Sequence, residues 1–131
     1  MNLFQKELAF ALFTPHGETI YELVGRLPEH GGTAALSLAH IVIPPGKASL
    51  AHTHKVIEET YYILRGDARV FLDNRQFNLA PSQAVLILPG QLHQIFNSGE
   101  ADLEFLAICS PAWYPEDAFI DNHLRDTENT E

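Results

Sequence analysis

The stretch Gly46-Lys47-Ala48-Ser49-Leu50-Ala51-His52-Thr53-His54-Lys55-Val56-Ile57-Glu58-Glu59-Thr60-Tyr61-Tyr62-Ile63-Leu64-Arg65-Gly66 carries most of what can be read about this chain. Leu50 to His54 reads as a short strand, and Thr60 to Leu64 as another, rich in aromatic and β-branched residues. On a strand, residues two apart point to the same side with α-carbons roughly 6.5–7 Å apart. His52 and His54 therefore present two imidazoles to one face, and at bond lengths of about 2.0–2.2 Å such a pair can converge on one ion. A histidine pair alone is more often two solvent-facing polar residues, so its surroundings decide. A carboxylate, Glu58 or Glu59, opens the next strand, where it can be presented to the same ion. A third imidazole, His93, opens a strand just past the Pro89-Gly90 turn.

The strand rhythm continues on both sides. Ala35 to Ile43 alternates, with Leu36, Leu38, His40 and Val42 on one face and Ser37, Ala39, Ile41 and Ile43 on the other, and stops at Pro44-Pro45-Gly46. Gly66-Asp67 turns the chain into Ala68 to Leu72, and Asp73-Asn74 is a tight hairpin turn leading to Phe77–Leu79. Ala84 to Leu88, His93 to Asn97 and Leu103 to Cys109 follow, separated by Pro89-Gly90 and Ser98-Gly99. About eight short strands between residues 33 and 110 predict an all-β sandwich or barrel with little helix. Ile20 to Val24 and part of Leu3 to Leu12 supply further edge strands. The expected organisation is an N-terminal strand or arm over 1–30, a barrel over 31–113 and a tail over 114–131. A turn is expected near Pro115-Glu116-Asp117, and the acidic end from Asp121 is expected to be loosely held.

Two spaced arrays in this sequence resemble the motifs of the cupin superfamily. The first motif is a Gly, five residues, His-x-His, three or four residues, Glu, six residues and Gly. Gly46, His52-Thr53-His54, Glu59 and Gly66 match every fixed position, and the six-residue count back from Gly66 selects Glu59 over Glu58. The second motif is a Gly, five residues, Pro-x-Gly, two residues, His, three residues and Asn, which Gly90, His93 and Asn97 match. Ser82 stands where the first Gly is usual and Leu88 where the Pro is usual, departures that concern loop shape and leave the ligands in place. The resemblance spans roughly residues 35–110. It implies a double-stranded β-helix (jelly-roll) barrel, with a metal held by His52, His54, Glu59 and His93. Manganese, iron, nickel, cobalt, copper and zinc are all used in the superfamily.

The donor types agree with that implication. Three neutral imidazoles and one carboxylate suit first-row divalent ions better than calcium or magnesium. Four protein ligands leave two octahedral positions open, whereas a structural zinc site would be closed and usually thiolate-rich. The lone cysteine, Cys109, lies far downstream and reads as a buried, inert thiol.

Tyr61 and Ile63 share parity with Glu59, Ile95 shares parity with His93, and Phe105 sits on an apolar late strand. All four are expected inside, as core or pocket lining. His40 is a further pocket candidate if the Leu36–Val42 face is the interior, and Tyr61 and His40 are the candidates for acid–base work. His16, His30 and His123 fall in turn-rich or terminal segments and read as surface residues. Ser110-Pro111-Ala112-Trp113-Tyr114-Pro115 reads as a clamp over one barrel mouth.

Composition narrows the function. The 131 residues suit one domain, and 8 Lys and Arg against 17 Asp and Glu give a net charge of −9. That charge makes nucleic acid and anionic lipid poor partners. A single cysteine cannot form an internal disulfide, and no run is long and apolar enough for a signal peptide or a membrane span, so the cytoplasm is the expected compartment. The expected activity is a metal-dependent enzyme on a small organic molecule, a dioxygenase-like oxidoreductase. The alternatives are a sugar or sugar-phosphate isomerase or epimerase, and a non-catalytic small-ligand binding or sensor protein. Lys47, Lys55, Arg65 and Arg69 lie in loop-like or turn positions, which weakens the phosphate-handling alternative. A homodimer is expected, formed by pairing of sheet edges or by exchange of an N-terminal strand drawn from Leu3 to Leu12.

Overall fold

The chain, described over residues 2–121 in a computed structural model, folds into eleven strands. They are β1 (Ala11–Phe13), β2 (Thr19–Val24), β3 (Ser37–Ile43), β4 (His52–Thr53), β5 (Glu58–Arg65), β6 (Ala68–Leu72), β7 (Arg75–Leu79), β8 (Ala84–Ile87), β9 (His93–Asn97), β10 (Leu103–Ser110) and β11 (Phe119–Ile120). Among the described residues, helical structure is confined to single 3-10 turns at Lys6–Leu8, Pro28–His30 and Pro115–Asp117. His123 and the part of the expected tail beyond residue 121 lie outside the described residues.

The strands form a six-stranded sheet in the order β1-β2-β3-β10-β5-β8 and a five-stranded sheet in the order β11-β4-β9-β6-β7, antiparallel throughout. One core lies between them. Ile41 and Ile43 of β3, Tyr61 and Ile63 of β5, Val85 and Ile87 of β8, and Leu103, Phe105 and Ala107 of β10 meet Ala68 and Val70 of β6, Leu79 of β7 and Ile95 of β9. Period-two alternation drives this arrangement: along β10, Leu103, Phe105, Ala107 and Cys109 are buried, while Glu104, Leu106 and Ile108 are half-buried on the other face. Full burial of each large side chain in this set contributes about 1.5–3 kcal/mol. The architecture is the expected double-stranded β-helix.

The alternation in β3 runs opposite to the face considered for His40. Ser37, Ala39, Ile41 and Ile43 point inward, and His40 lies on the outer face. There it bonds to Glu104 at 2.9 Å, and Arg65 reaches the second oxygen of the same carboxylate at 3.1 Å. Both faces of β3 are apolar, so parity alone could not orient the strand.

Both flanking segments are built into the sheets. The expected N-terminal arm supplies β1 and β2, with β2 pairing along β3. At the start of the expected tail, the turn anticipated near Pro115-Glu116-Asp117 is present as a 3-10 turn, and it is followed by a short strand that was not expected, β11, which pairs with β4. The departure at Ser82 keeps its turn. Ser82 adopts φ 73°, the left-handed conformation that the usual glycine would take without strain, and its N–H donates to Ile63 O at 2.9 Å. Gly66 has φ 87°, and a Cβ there would lie 2.7 Å from Asp102 O, so a glycine is required.

Candidate metal centre

Topology gathers the four expected ligands. His52 on β4 is the direct cross-strand neighbour of His93 on β9, and His54 follows two residues after His52. Glu59 comes from β5 in the opposite sheet. One donor atom from each of His52, His54, Glu59 and His93 lies within 4.8 Å of all the others. His54, Glu59 and His93 are buried and His52 is half-buried.

Each imidazole is fixed by its far nitrogen. His52 Nδ1–H donates to Leu50 O at 2.8 Å, His54 Nδ1–H to Asp117 O at 2.8 Å, and His93 Nδ1–H to Gln91 O at 3.0 Å. Donation from Nδ1 leaves Nε2 as the free lone pair, the arrangement that metal-ligating histidines use. The inward atoms are correspondingly unpartnered: His54 Nε2, Glu59 Oε1 and His93 Nε2 are buried with no hydrogen bond. Glu59 Oε1 lies 3.4 Å from His54 Nε2 and 3.2 Å from His93 Nε2. Buried polar atoms left without partners are costly, and three on one point is the signature of a cation site. The donor set fits a divalent first-row transition ion.

The electrostatics follow from burial and proximity. Burial, reinforced by His93, lowers the His52 pKa to about 4. Burial opposes charge on His54, but the Glu59 carboxylate outweighs it and raises that imidazole. Burial likewise opposes charge on Glu59, yet His54 and His93 hold it well below the usual carboxylate range. Burial, then Glu59, raises both the Tyr61 phenol and the Cys109 thiol, so both keep their protons at neutral pH.

The cluster opens onto a cavity of about 230 Å³. Its wall is mostly apolar, including Leu12, Ile20, Ile41, Phe105, Trp113 and Ile120, and includes Glu59, His52, Tyr61 and Cys109. Glu18 and Glu22 also line it, and no lysine or arginine does among the described residues. Of the expected pocket residues, Tyr61 and Phe105 reach the cavity, with ring centroids 5.0 Å apart. Ile63 and Ile95 sit in the sealed core instead, fully buried and away from the cavity wall. His40 does not line this cavity, because its side chain lies on the outer face against Glu104. The expected clamp holds in part: Trp113 lines the cavity, its N–H bonded to Ser37 Oγ at 2.9 Å.

Two residues at the centre were not read from sequence as functional. Asp117 is 3% exposed, and its carboxylate accepts the N–H groups of Lys55, Val56 and Ile57 at 3.0, 3.0 and 2.9 Å. Burial opposes its charge, and those three N–H groups outweigh it and lower its pKa. Asp117 thus clamps the loop that joins His54 to Glu59. Nothing in the pattern Pro115-Glu116-Asp117 signals a buried acid. Cys109 is the other; its Sγ lies 3.4 Å from Glu59 Oε2. Its parity with Phe105 and Ala107 placed it inside, but not beside Glu59. Asn97, the last motif residue, is a structural clamp whose Nδ2 donates to Ile43 O and Ala101 O, both at 2.8 Å.

Comparison with known proteins agrees with this geometry. The family described as Cupin domain matches over residues 39–109. An uncharacterized protein of Methanocaldococcus jannaschii is 37% identical over 84 residues, covering 64% of this chain and 67% of that one. An oxalate-binding protein of Thermotoga maritima is 38% identical over 71 residues, covering 53% of this chain and 58% of that one. Among solved structures, one described as a predicted oxalate decarboxylase from Thermotoga maritima superposes with a TM-score of 0.74 at 23% identity, over 83% of this chain and 98% of the other. Among the described residues, no helix is long and apolar enough to cross a membrane.

Proposed function

The chain belongs to the cupin family, and from that premise we propose that it is a metal-dependent oxidoreductase of the dioxygenase type, acting on a small organic molecule held in the cavity. The observation that carries this reading is a cluster of unpartnered donors opening directly onto an apolar cavity that has no cationic side chain among its described lining. A divalent first-row ion held by His52, His54, Glu59 and His93 would supply a Lewis acid and a route for electrons.

The chain's own residues supply the rest. Phe105, Ile41 and Trp113 give the chamber apolar walls, which disfavour water beside a bound substrate and so strengthen the electrostatic interactions made there. The Tyr61 hydroxyl keeps its proton and lines the same wall, so it is positioned to donate to an anionic substrate oxygen. Glu18, Glu22 and Glu59 repel polyanions from the chamber. The substrate class that fits is an uncharged or singly ionised enol, phenol or diketone; a sugar phosphate would need a lysine or arginine, and none lines the cavity among the described residues. We take the protein to act in the reducing cytoplasm as a homodimer.

A second reading, a non-catalytic small-ligand binding protein, is favoured by the likeness to an oxalate-binding protein. Oxygen uptake separates the two. Protein loaded in turn with manganese, iron, cobalt, nickel and copper is supplied with a panel of diketones and flavonol-like phenols. Oxygen consumption with one metal–substrate pair supports the oxidoreductase. Ligand-induced thermal shifts with no turnover under any metal support the binding protein.

A further inference from the structure

We propose that Cys109 is the positioning residue of the centre: its S–H donates to Glu59 Oε2 and leaves Oε1 alone to face the three imidazoles. This rests on the metal-binding reading above and adds a role for a residue which that reading does not use.

The two residues are direct cross-strand partners on β10 and β5. Cys109 is 3% and Glu59 6% exposed, so water does not compete for the contact. Sγ and Oε2 are 3.4 Å apart, within range for a sulfur donor, and Oε2 is thereby engaged. Oε1 is the unpartnered oxygen, aimed at His54 Nε2 and His93 Nε2. The carboxylate is therefore polarised in function, with one oxygen held by the protein and the other directed at the cluster.

A carboxylate can bind an ion through one oxygen or both. Binding through both would make Oε2 share its electron density between the ion and the thiol proton, which weakens both interactions. The Cys109 contact therefore favours single-oxygen binding and keeps a coordination position for a ligand. Glu59, His52 and Cys109 all line the cavity wall, so a small molecule in the chamber would reach the cluster from that side. Hydrogen-bonded partners of metal ligands change metal affinity by about 10–100-fold when removed. A hydroxyl can replace the thiol as donor, whereas a methyl group cannot.

The test titrates cobalt(II) into metal-free wild type, Cys109→Ser and Cys109→Ala, reading the visible ligand-field bands and the affinity against a chromophoric chelator. Wild type and Cys109→Ser are expected to share the same bands, while Cys109→Ala shifts them and binds about tenfold more weakly. Bands and affinity of Cys109→Ala that coincide with wild type overturn the positioning role, even if both variants melt at lower temperature, because that pattern is packing alone. A thiolate-to-cobalt charge-transfer band in wild type, lost in both variants, also overturns it, since the sulfur would then be a ligand. Should Cys109→Ala fail to fold, the S–H stretch in the infrared spectrum of metal-free wild type reads the contact directly. It is expected to be displaced from that of a free thiol and to move in Glu59→Gln; a free-thiol position overturns the proposal. Wild type that takes up no cobalt overturns the metal reading and this proposal with it, whereas an unchanged Cys109→Ala spectrum in loaded protein overturns only the latter.

Discussion

The main-chain carbonyl of Asp117 accepts the Nδ1–H of His54 at 2.8 Å, while the Asp117 carboxylate holds the N–H groups of Lys55, Val56 and Ile57. One residue some sixty positions further along the chain thus fixes both the ring of one candidate ligand and the loop leading to another. The neighbouring Ala118 and Ile120 line the cavity, and Ile120 pairs with His52. The segment that closes the chamber and the segment that orients the donors are the same.

Asp117→Ala is therefore expected to lower stability by about 2 kcal/mol, as the loss of charge-assisted hydrogen bonds to buried N–H groups requires. Metal affinity is expected to fall about tenfold, because the 55–57 loop that leads from His54 to Glu59 loses its restraint, while the main-chain carbonyl that holds the His54 ring stays in place. Asp117→Asn, which keeps one acceptor oxygen, should fall between the two. Urea unfolding of metal-free protein and chelator competition measure these separately; unchanged affinity would confine Asp117 to a folding role.

Acid should destabilise the metal-free protein through His52. Its pKa is lowered to about 4, whereas an unfolded histidine titrates near 6.5. Between those values the unfolded chain binds the extra proton, so stability falls as the pH drops from about 6.5 to about 4 and levels off below. His54 shifts the other way: with its pKa raised, its contribution is already complete below 6.5 and is lost only as the pH rises through its folded value. The lowered pKa of Glu59 makes its contribution constant above the ordinary carboxylate range. Denaturant unfolding of wild type and His52→Asn across this window isolates the effect, and parallel curves would refute it. Bound metal should be released over the same range, since protonated imidazoles cannot ligate.

Ser82 offers a stabilising change. Its φ of 73° places a side chain in the left-handed region, at a cost of order 1 kcal/mol, in a turn where Gln83 N–H closes onto Ala80 O at 3.1 Å. Ser82→Gly should raise the unfolding free energy by about 0.5–1 kcal/mol after allowing for the greater freedom of glycine in the unfolded chain. Thermal melting provides the check, and a lower melting temperature would mean that the hydroxyl contributes more than the strain removes.

The barrel and its four donors were legible because they rest on strictly local signals. Period-two alternation marks strands, Gly and Pro mark their ends, and His52, His54, Glu59 and His93 sit at motif spacing. The orientation of His40 was not legible, because Leu38 and Val42 make its face as apolar as the face of Ile41 and Ile43. Asp117 was not legible either: its role depends on a long-range pairing of β11 with β4, and a turn-forming acid looks the same buried or exposed. Cys109 could be placed inside by parity, but its contact with Glu59 depends on the register between β10 and β5. Glu18 and Glu22 reach the cavity only because β2 pairs along β3.

The same two-sided apolarity bears on assembly. Leu38 and Val42 of β3, Tyr62 and Leu64 of β5, Leu86 of β8, and Leu106 and Ile108 of β10 crowd the outer face of the six-stranded sheet. Tyr62, Leu64 and Leu86 are 37%, 36% and 51% exposed. A broad apolar surface of this kind is costly to leave in water, and a second copy supplies a matching surface by two-fold symmetry. Exchange of the N-terminal strand, the other expected route to a dimer, would use β1, which lies at the edge of the same sheet. Wild type is expected to sediment as a dimer, and Leu64→Lys combined with Leu86→Lys to sediment as a folded monomer with its cobalt site intact. A dimer that survives that double change but is lost on removal of residues 2–10 would relocate the interface to the N-terminal arm, where Leu3, Leu8 and Phe10 are 70%, 81% and 89% exposed. A wild-type monomer would mean that the apolar sheet face serves no association of the chain with itself.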